Sequence, residues 1–279
     1  MTPTAAEERL HQFRAAHPCR QTTVGGVTWE YIACGQGADT LLLLHGGMRI
    51  AESAFACVEA FEPYYRVIAP TYPPLWTVQE MTDGIAAILD AAAVHDPFVL
   101  GQSYGGTLAQ VWVQRFPARA TKLVLSGAVP LRVGLLTTSA LRLYLAVVPL
   151  LPEQAARNAY KSLVGQALSV PGRDRAFWKA YLNEVFATRL TKAHVLSHFR
   201  TGQDSLQNYG FDKPGTPRWP GPVLIIRGDR DRASTAADLR ALARFYPKAQ
   251  THVIAGAGHP ALMEKPAEYV DVVRGFFCS

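Results

Sequence analysis

The segment of the sequence that is most informative about chemistry is GQSYGG, residues 101–106, which contains Ser103. A serine that attacks an acyl carbon must project from a tight turn, with a base on one side and backbone N–H donors on the other. Such a turn requires small residues two positions before and two positions after the serine, and Gly101 and Gly105 meet that need. Because the segment follows a strand-like run and opens a helix-like one, we predict that Ser103 is a nucleophile.

A histidine near the end of the chain has the position expected of a general base. His259 lies in GAGHP (residues 256–260), just after the last predicted strand. A loop histidine there can reach a serine at the same edge of a sheet, and imidazole has the basicity to accept the proton. Six other histidines have no comparable context and are expected to be surface or packing residues: His11, His17, His95, His194, His198 and His252.

An acid is needed to hold the imidazole in the correct tautomer and to stabilise its charged form. The segment GDRD (residues 228–231) follows a buried strand and offers two aspartates. Asp231 is preferred because it lies farther beyond the strand end, toward the loop that carries His259. Asp229 is then expected to bond backbone N–H groups of the turn. The order Ser103, Asp231, His259 is the chain order expected of a fold in which the serine lies on such a strand-to-helix turn.

The run LLLLHGGM (residues 41–48) ends a buried strand and should supply one N–H donor for a tetrahedral oxyanion. Gly47 is our choice for that donor, with Met48 as the alternative. The N–H of Tyr104, next to the nucleophile, is expected to supply the second donor. His45 is expected to shape this loop rather than to transfer protons.

Continuous β-branched and leucine-rich runs alternate with helical stretches and predict the elements that position these residues. A hairpin (20–24 and 27–33) precedes strands at 40–44, 66–69, 97–100, 122–125, 223–227 and 251–254. Helices are predicted at 5–15, 78–93, 104–116, 236–246 and 266–277, two of them with capping boxes and the last with proline at its first position. This alternation predicts an α/β fold with a doubly wound, mostly parallel sheet.

One segment interrupts the alternation. Residues 130–222 have helical periodicity but no convincing strand, and prolines bound them at both ends. We therefore divide the chain into an α/β core, residues 1–129 and 223–279, and a helical cap, residues 130–222. In open α/β sheets ligands bind outside the carboxyl ends of the strands, so we expect the insertion to lie there, with its apolar residues from Leu135 to Leu150 facing a pocket.

Composition excludes several other classes of protein. The chain has 279 residues, of which 49% are hydrophobic and 18% charged, which is enough for one large core and not typical of disorder. Residues 131–218 hold 12 Lys/Arg against 5 Asp/Glu, whereas the rest of the chain holds 16 against 17. This basic segment indicates either a solvated surface or attraction of anionic substrates or membranes. No motif accompanies it that would indicate nucleic-acid binding.

The N-terminus has no apolar region behind a basic start and is not typical of a signal peptide, and no apolar run reaches membrane-spanning length. Four scattered cysteines, Cys19, Cys34, Cys57 and Cys278, show neither a C-x-x-C pair nor zinc spacing. We expect reduced thiols, no metal, no cofactor and a cytoplasmic location. The expected partner is a small-molecule substrate; nothing in the sequence supports a protein partner.

These segments, in this order and spacing, resemble the α/β-hydrolase superfamily from about Val24 to Phe277. The resemblance implies an eight-stranded sheet, a cap between the sixth and seventh strands, and a Ser–His–Asp triad that needs no cofactor. Serine at the nucleophile position disfavours epoxide hydrolases and haloalkane dehalogenases, which use aspartate there.

One departure from the common pattern follows the fourth strand, where this chain reads RVIAPTYPPLW (residues 66–76). With Asp83-Gly84, Leu89-Asp90, His17-Pro18 and Trp29-Glu30, this segment looks like the maspardin branch of the superfamily. Maspardin is regarded as a binding protein, so the resemblance implies a non-catalytic alternative. Trp76 is either a core aromatic residue or a lining residue of the pocket.

The residues together predict a hydrolase of carboxylic esters or similar acyl compounds that acts through an acyl-enzyme. Met48 and Trp76 are the candidate substrate-binding residues. The alternatives are a maspardin-like interaction protein, or a carbon–carbon hydrolase, lactonase or perhydrolase that uses the same triad.

Overall fold

An eight-stranded sheet forms the centre of the computed structural model, which describes the backbone of residues 5–132, 135–168 and 175–279. The strands are β1 (Arg20–Val24), β2 (Val27–Cys34), β3 (Thr40–Leu44), β4 (Arg66–Pro70), β5 (Phe98–Gln102), β6 (Leu123–Ser126), β7 (Val223–Gly228) and β8 (Ala249–Ile254). Their order in the sheet is β1-β2-β4-β3-β5-β6-β7-β8. Strand β2 pairs antiparallel with β1 and β4, and the remaining pairs are parallel.

The leucine run of β3 explains how the sheet is held. Leu41 and Leu43 point to one hydrophobic cluster, and Leu42 and Leu44 point to the cluster on the opposite face. All four are fully buried, because successive side chains of a strand alternate between faces and helices cover both faces of this sheet. The predicted fold class, a mostly parallel sheet of eight strands flanked by helices, is confirmed.

The helices are α1 (Ala5–Ala16), α2 (Phe55–Phe61), α3 (Val78–Ala91), α4 (Tyr104–Arg115), α5 (Leu135–Val147), α6 (Glu153–Ala167), α7 (Arg175–Thr188), α8 (Lys192–Tyr209), α9 (Ala236–Phe245), α10 (Ala261–Glu264) and α11 (Pro266–Cys278). Two 3₁₀ turns lie at Ala51–Ala54 and Val148–Leu150. The sequence predicts capping boxes at Thr4, for the first helix, and at Thr77, for the helix that begins at Val78. Thr4 lies outside the described residues. The box at Thr77 is present, since its side chain accepts from the Glu80 N–H and Glu80 accepts from the Thr77 N–H.

Most predicted bounds agree with the structure to within two residues, and the differences have a local cause. Strand β5 continues through Gln102, up to the residue before Ser103. The sequence analysis predicted no element between β3 and β4, where the structure has the turn Ala51–Ala54 and helix α2. That stretch is short and its apolar residues do not extend over enough turns to show helical periodicity.

In the part of the segment between β6 and β7 that the structure describes, helices are joined by turns and irregular stretches, and no strand is present. Helices α5 to α8 occupy it, and α8 packs against α3 and α4 of the core as well as against α5 and α6. We call residues 130–222 the helical insertion. Within the described residues, no helix of the protein combines the length and the hydrophobicity needed to cross a membrane.

An ion-pair network joins the helical insertion to the core beside helix α1. Arg14 of α1 contacts Glu52 at 2.8 Å and Glu184 of α7 at 2.7 Å. Arg189, which follows α7, contacts Glu30 of β2 at 2.5 Å. Glu52 is almost fully buried, so its pairing with Arg14 offsets the cost of placing a carboxylate away from water.

Candidate active site

Ser103 lies on a strained turn between β5 and α4. Its backbone angles are φ 54° and ψ −119°, in a region that residues with a side chain rarely adopt. A β-carbon at Gly105 would lie 1.8 Å from the Leu44 carbonyl oxygen, and one at Gly101 would lie 2.5 Å from the Gly105 oxygen. Both glycines are therefore required by close backbone approach, which holds the serine side chain above the carboxyl edge of the sheet.

His259 and Asp231 form a hydrogen-bonded pair at the same edge. The Nδ1 of His259 lies 2.9 Å from Oδ2 of Asp231, while the other oxygen of Asp231 accepts the N–H groups of Ala233 and Ser234 at 2.8 and 3.0 Å. Burial by itself would raise the pKa of the Asp231 carboxyl, but the bond and charge of His259 and these two N–H groups hold it below its usual value. Asp231 is thus an ionised carboxylate that fixes the orientation of the imidazole.

Asp229, the second aspartate of the segment, contacts a different partner. Its Oδ1 accepts the N–H of Gly256 at 2.8 Å and the residue is exposed. Gly256 has φ 73° and begins the loop that carries His259. Asp229 therefore braces the turn, and Asp231 is the aspartate that the structure brings to the histidine.

Ser103 and His259 line one cavity of about 830 Å³ between the sheet edge and the helical insertion. Its volume is within the range of small-molecule sites. The described lining residues are mostly apolar, and from the insertion they include Leu141, Tyr160, Leu163, Val164, Leu168, His198, Phe199 and Leu206. Of the apolar run predicted to face a pocket, Leu143, Val147 and Leu150 are exposed instead. The side chains of Leu135 and Leu136 lie outside the described residues.

The two residues predicted to stabilise an oxyanion, Gly47 and Tyr104, also line this cavity. Tyr104 is the first residue of α4, where backbone N–H groups have no acceptor within the helix. The carbonyl of Gly47 accepts the hydroxyl of Tyr160 at 2.6 Å. A β-carbon at Gly47 would lie 2.9 Å from that hydroxyl and 3.1 Å from His198, so the loop is packed directly under the helical insertion.

His45 is a buried structural residue of this loop. Its Nε2 donates to the Pro70 carbonyl at 2.7 Å, and its ring stacks on Tyr72 with 4.4 Å between centroids. Burial lowers the pKa of His45 to about 4, so the ring is neutral at pH 7. Through these two contacts it holds the loop in place.

Of the two candidate substrate-binding residues, the structure brings one to the cavity. Met48 lines it and is nearly buried. Trp76 is not among the lining residues; it is 45% exposed and lies under the guanidinium of Arg200, 4.2 Å from its ring centroid. Trp76 precedes α3 by two residues and is a surface residue in this structure.

His198 is a cavity residue that the sequence analysis did not select. Its ring lies between Tyr104 and Tyr160, with centroids 4.4 and 5.1 Å away. Burial, reinforced by the charge of Arg49, lowers the pKa of His198 to about 3. Its Nδ1 has no hydrogen-bond partner among the described residues, so a neutral imidazole lines the cavity opposite Gly47.

Arg49 is a fully buried cation behind the same loop. One terminal nitrogen donates to the Pro73 carbonyl at 2.8 Å and to the Ser197 hydroxyl at 2.9 Å. Its Nε and other terminal nitrogen have no hydrogen-bond partner among the described residues. The guanidinium lies 5.7 Å from the centroid of the Tyr104 ring. Arg49 thus places a positive charge beside the Tyr104 ring, and no carboxylate of the described residues forms an ion pair with it.

A pattern within α8 could have indicated these contacts. Ser197, Thr201 and Ser205 recur every fourth residue and are fully buried, and the Thr201 hydroxyl contacts the Tyr104 hydroxyl at 2.6 Å. Small hydroxyl residues on a buried helix face indicate polar contacts with a neighbouring element. The sequence does not show which element that is.

A family model described as alpha/beta hydrolase fold matches residues 39–266. The chain belongs to the α/β-hydrolase fold family. The match covers β3 to the start of α11, which includes the turn of Ser103, the helical insertion and the His259 loop.

Two relatives from Pseudomonas putida are hydrolases. The 2-hydroxymuconate semialdehyde hydrolase is 27% identical over 193 residues, which cover 68% of this chain and 65% of that protein. The 2-hydroxy-6-oxo-2,4-heptadienoate hydrolase is 24% identical and covers 93% of this chain and 96% of that protein. The crystal structure of the enol-lactonase from Burkholderia xenovorans LB400 has a TM-score of 0.74 and 17% identity, and covers 93% of this chain and all of that one. This chain is a hydrolase of the α/β fold.

Proposed function

We propose that the protein is a serine hydrolase that cleaves carboxylic esters or related acyl compounds through an acyl-enzyme. The observation that carries the proposal is the strained Ser103 at a cavity shared with His259, whose Nδ1 is bonded to an ionised Asp231. Backbone strain of this kind persists only where the surroundings enforce it, and it exposes the serine hydroxyl at the end of the strand.

The proposed reaction has two steps. Ser103 Oγ attacks the acyl carbon while Nε2 of His259 takes its proton, and that proton then passes to the leaving alkoxide. Water attacks the acyl-enzyme with the same histidine as base, which releases the acid and restores the serine. Asp231 keeps the proton of His259 on Nδ1, because its Oδ2 accepts there, and stabilises the imidazolium of each step.

The oxyanion of each tetrahedral intermediate is assigned to the N–H groups of Gly47 and Tyr104, with Met48 the alternative to Gly47. Tyr160 supports Gly47 through the hydrogen bond to its carbonyl. The buried charge of Arg49 adds a favourable potential, because it lies behind Tyr104 where the dielectric is low.

The lining of the cavity favours an apolar acyl group. Leucine, valine and phenylalanine side chains of the helical insertion lie over the serine. Among the described lining residues the charged ones are Arg132 and Asp238, and Arg132 is exposed and lies 3.6 Å from Asp212. We infer that the helical insertion acts as a cap that selects the acyl group by shape and excludes water.

The second candidate function is hydrolysis of a carbon–carbon bond next to a ketone, by the same triad. The two relatives from Pseudomonas putida favour it, since one is named for an oxo-dienoate and the other for a semialdehyde. A dienoate substrate would bring a carboxylate into the cavity and would need a cation to bind it. Arg132 at the rim is the guanidinium that lines the described part of the cavity.

A third candidate rests on the maspardin-like segment at residues 66–76, which implies a binding protein whose triad does no chemistry. In this chain Tyr72 and Pro73 of that segment support the active-site loop, through the ring of His45 and the side chain of Arg49. A fluorophosphonate probe separates this candidate from the other two, because it labels only an activated serine.

We expect the probe to label the wild-type protein and not the Ser103→Ala variant. The variant should lose ester hydrolysis to background, a fall of about 10⁴-fold or more, with little change in melting temperature because the hydroxyl contributes little packing. Retention of more than a few per cent of the activity would remove the assignment of Ser103.

A panel of substrates then separates the first two functions. Rates should be measured on p-nitrophenyl esters of increasing acyl length, on lactones and on vinylogous diketones that carry a carboxylate. A higher kcat/KM on the esters supports the first function. A higher kcat/KM on the diketones replaces it with the second and leaves the triad unchanged.

A further inference from the structure

Three side chains that could ligate a metal converge at the edge of the sheet opposite to the active site. They are His17, which follows α1, Cys34, the last residue of β2, and Glu62, which follows α2. One ligand atom from each lies within 4.8 Å of the other two. Cys34 pairs with Val67 at the start of β4, so the cluster lies where the parallel strands begin, whereas Ser103 lies where they end.

Hydrogen-bond geometry at His17 resembles that of a metal ligand. Its Nδ1 lies 2.9 Å from the Phe13 carbonyl oxygen, which can only accept, so Nδ1 carries a proton. Its Nε2 lies 2.8 Å from Oε2 of Glu62, which is also an acceptor when ionised. A proton must therefore lie between Nε2 and Glu62. A metal can replace that proton, because a ligating histidine commonly donates its other N–H to a backbone carbonyl.

Cys34 completes the set with a soft ligand. The thiol is partly buried, and its sulfur lies within 4.8 Å of a ligand atom of His17 and of Glu62. A thiol that coordinates a metal loses its proton. Thiolate and carboxylate together then balance a charge of +2, and the imidazole binds as the neutral ring.

We propose that His17, Cys34 and Glu62 form a binding site for Zn²⁺, with water as the fourth ligand. Nitrogen, sulfur and oxygen are the ligand types that zinc takes in tetrahedral sites, and its bond lengths require ligand atoms about 3.3 to 3.8 Å apart. The three ligand atoms already lie within 4.8 Å of one another. Binding releases two protons to solvent, the thiol proton and the one between His17 and Glu62.

Access and position determine what the ion would do. The Glu62 side chain is 29% exposed and that of His17 is 7% exposed, so the site is partly open to solvent. The ion would join the end of α1 to β2 and α2, and α1 packs against α7 of the helical insertion. A metal on this edge stabilises the fold by binding the native state and takes no part in the chemistry at Ser103.

The test uses the full-length protein, stripped of metal with a chelator and titrated with CoCl₂ as a spectroscopic probe. We expect one equivalent to produce a near-ultraviolet thiolate-to-cobalt charge-transfer band. That band should be absent in Cys34→Ser and strongly weakened in His17→Gln and Glu62→Gln. Cys19→Ser is the matched control, because Cys19 is an exposed thiol close to His17 in the sequence, and it should keep the band.

ZnCl₂ supplies the second measurement. At a free concentration a hundredfold above its dissociation constant, it should raise the melting temperature by about 5 °C in the wild type and in Cys19→Ser, and not in Cys34→Ser. A wild-type protein without the cobalt band, or a band that survives Cys34→Ser and disappears in Cys19→Ser, overturns the proposal.

Discussion

The two walls of the cavity stabilise their polar groups in opposite ways. On the wall made by the sheet edge, His259 is paired with an ionised aspartate, and a second oxygen of that aspartate is satisfied by backbone N–H groups. On the wall made by the helical insertion, His198 is buried between two tyrosine rings, and no carboxylate in the described part of the chain is bonded to it. The first wall can stabilise a cationic imidazole, and the second keeps its imidazole neutral.

The core wall therefore carries the reactive groups, and the insertion wall determines the shape of the cavity. On the core wall the backbone determines where the reactive group lies. The end of a strand, the start of a helix and the close glycine contacts fix the backbone of Ser103, so that only its side chain can rotate. The insertion wall depends on packing of side chains from α6 and α8 against the Gly47 loop. We therefore expect substitutions on the core wall to change kcat. Substitutions on the insertion wall should change how well the substrate fits the cavity and how stable the protein is.

The largest expected effect is at the two aspartates of the core wall. Asp231→Asn should lower kcat by about 10³- to 10⁴-fold, because the amide neither stabilises the imidazolium nor fixes the tautomer. Asp229→Asn, a matched change two residues away, should leave kcat nearly unaltered and lower the melting temperature, since Asp229 braces the Gly256 turn. Steady-state kinetics and thermal melts measure both; a reversed pair of results would make Asp229 the acid.

Acid should destabilise the protein through its buried neutral histidines. Burial lowers the pKa to about 4 for His45 and His194 and to about 3 for His198, from about 6.5 in the unfolded chain. Below pH 6.5 the unfolded chain binds protons that the native state does not bind. Stability is therefore complete above pH 6.5 and is lost as the pH falls toward 3, by about 2 kcal/mol per histidine between pH 7 and pH 5.

His198→Gln isolates the contribution of the insertion wall to this acid sensitivity. The variant should lose about 2 kcal/mol less than the wild type between pH 7 and pH 5, because glutamine does not titrate. Urea unfolding at the two pH values measures the difference. An identical loss in both proteins would mean that His198 is protonated in the native state, and the contrast between the two walls would fail.

A smaller effect is expected where the walls meet. Tyr160→Phe removes the hydrogen bond to the Gly47 carbonyl and should lower kcat/KM by about tenfold, because the oxyanion loop loses its support. Tyr144→Phe is the control: the same hydroxyl is removed from a partly buried tyrosine of α5, whose hydroxyl oxygen is buried and has no hydrogen-bond partner among the described residues. Equal rates for the two variants would show that the loop needs no support from the insertion.

The smallest effect concerns the charge of the insertion, where residues 131–218 hold seven more basic than acidic residues. If these charges attract substrates, kcat/KM for an anionic ester should fall a few-fold between low and physiological salt, and that for a neutral ester of equal size should not. Arg132 at the cavity rim is the residue through which this attraction would act. If kcat/KM depends on salt equally for the two esters, the basic residues of the insertion do not attract substrates and serve only to keep the protein soluble.

The candidate residues differ in how well the local sequence pattern predicts their position in the structure. The turn of Ser103 and the paired strands followed from glycine spacing and continuous apolar runs, which depend on neighbours in the chain. The location of the Trp76 side chain does not follow from the sequence, because the direction of a turn determines whether an aromatic side chain faces a pocket or solvent. The sequence predicts His198 to be a surface or packing residue, because a histidine in the middle of a helix has no local signal of the cavity that it faces.

The sequence by itself determined the fold class, the order of the chemical residues along the chain and the strained turn of the serine. Each of these follows from short-range constraints: strand alternation, helix caps and the absence of room for a β-carbon. Only the tertiary structure shows that Asp231, the preferred aspartate, contacts His259. It also places Arg49 behind the oxyanion loop and His198 in the wall of the cavity, and it brings His17, Cys34 and Glu62 together. Such contacts join elements far apart in the chain, and only the packing of those elements brings them within bonding distance.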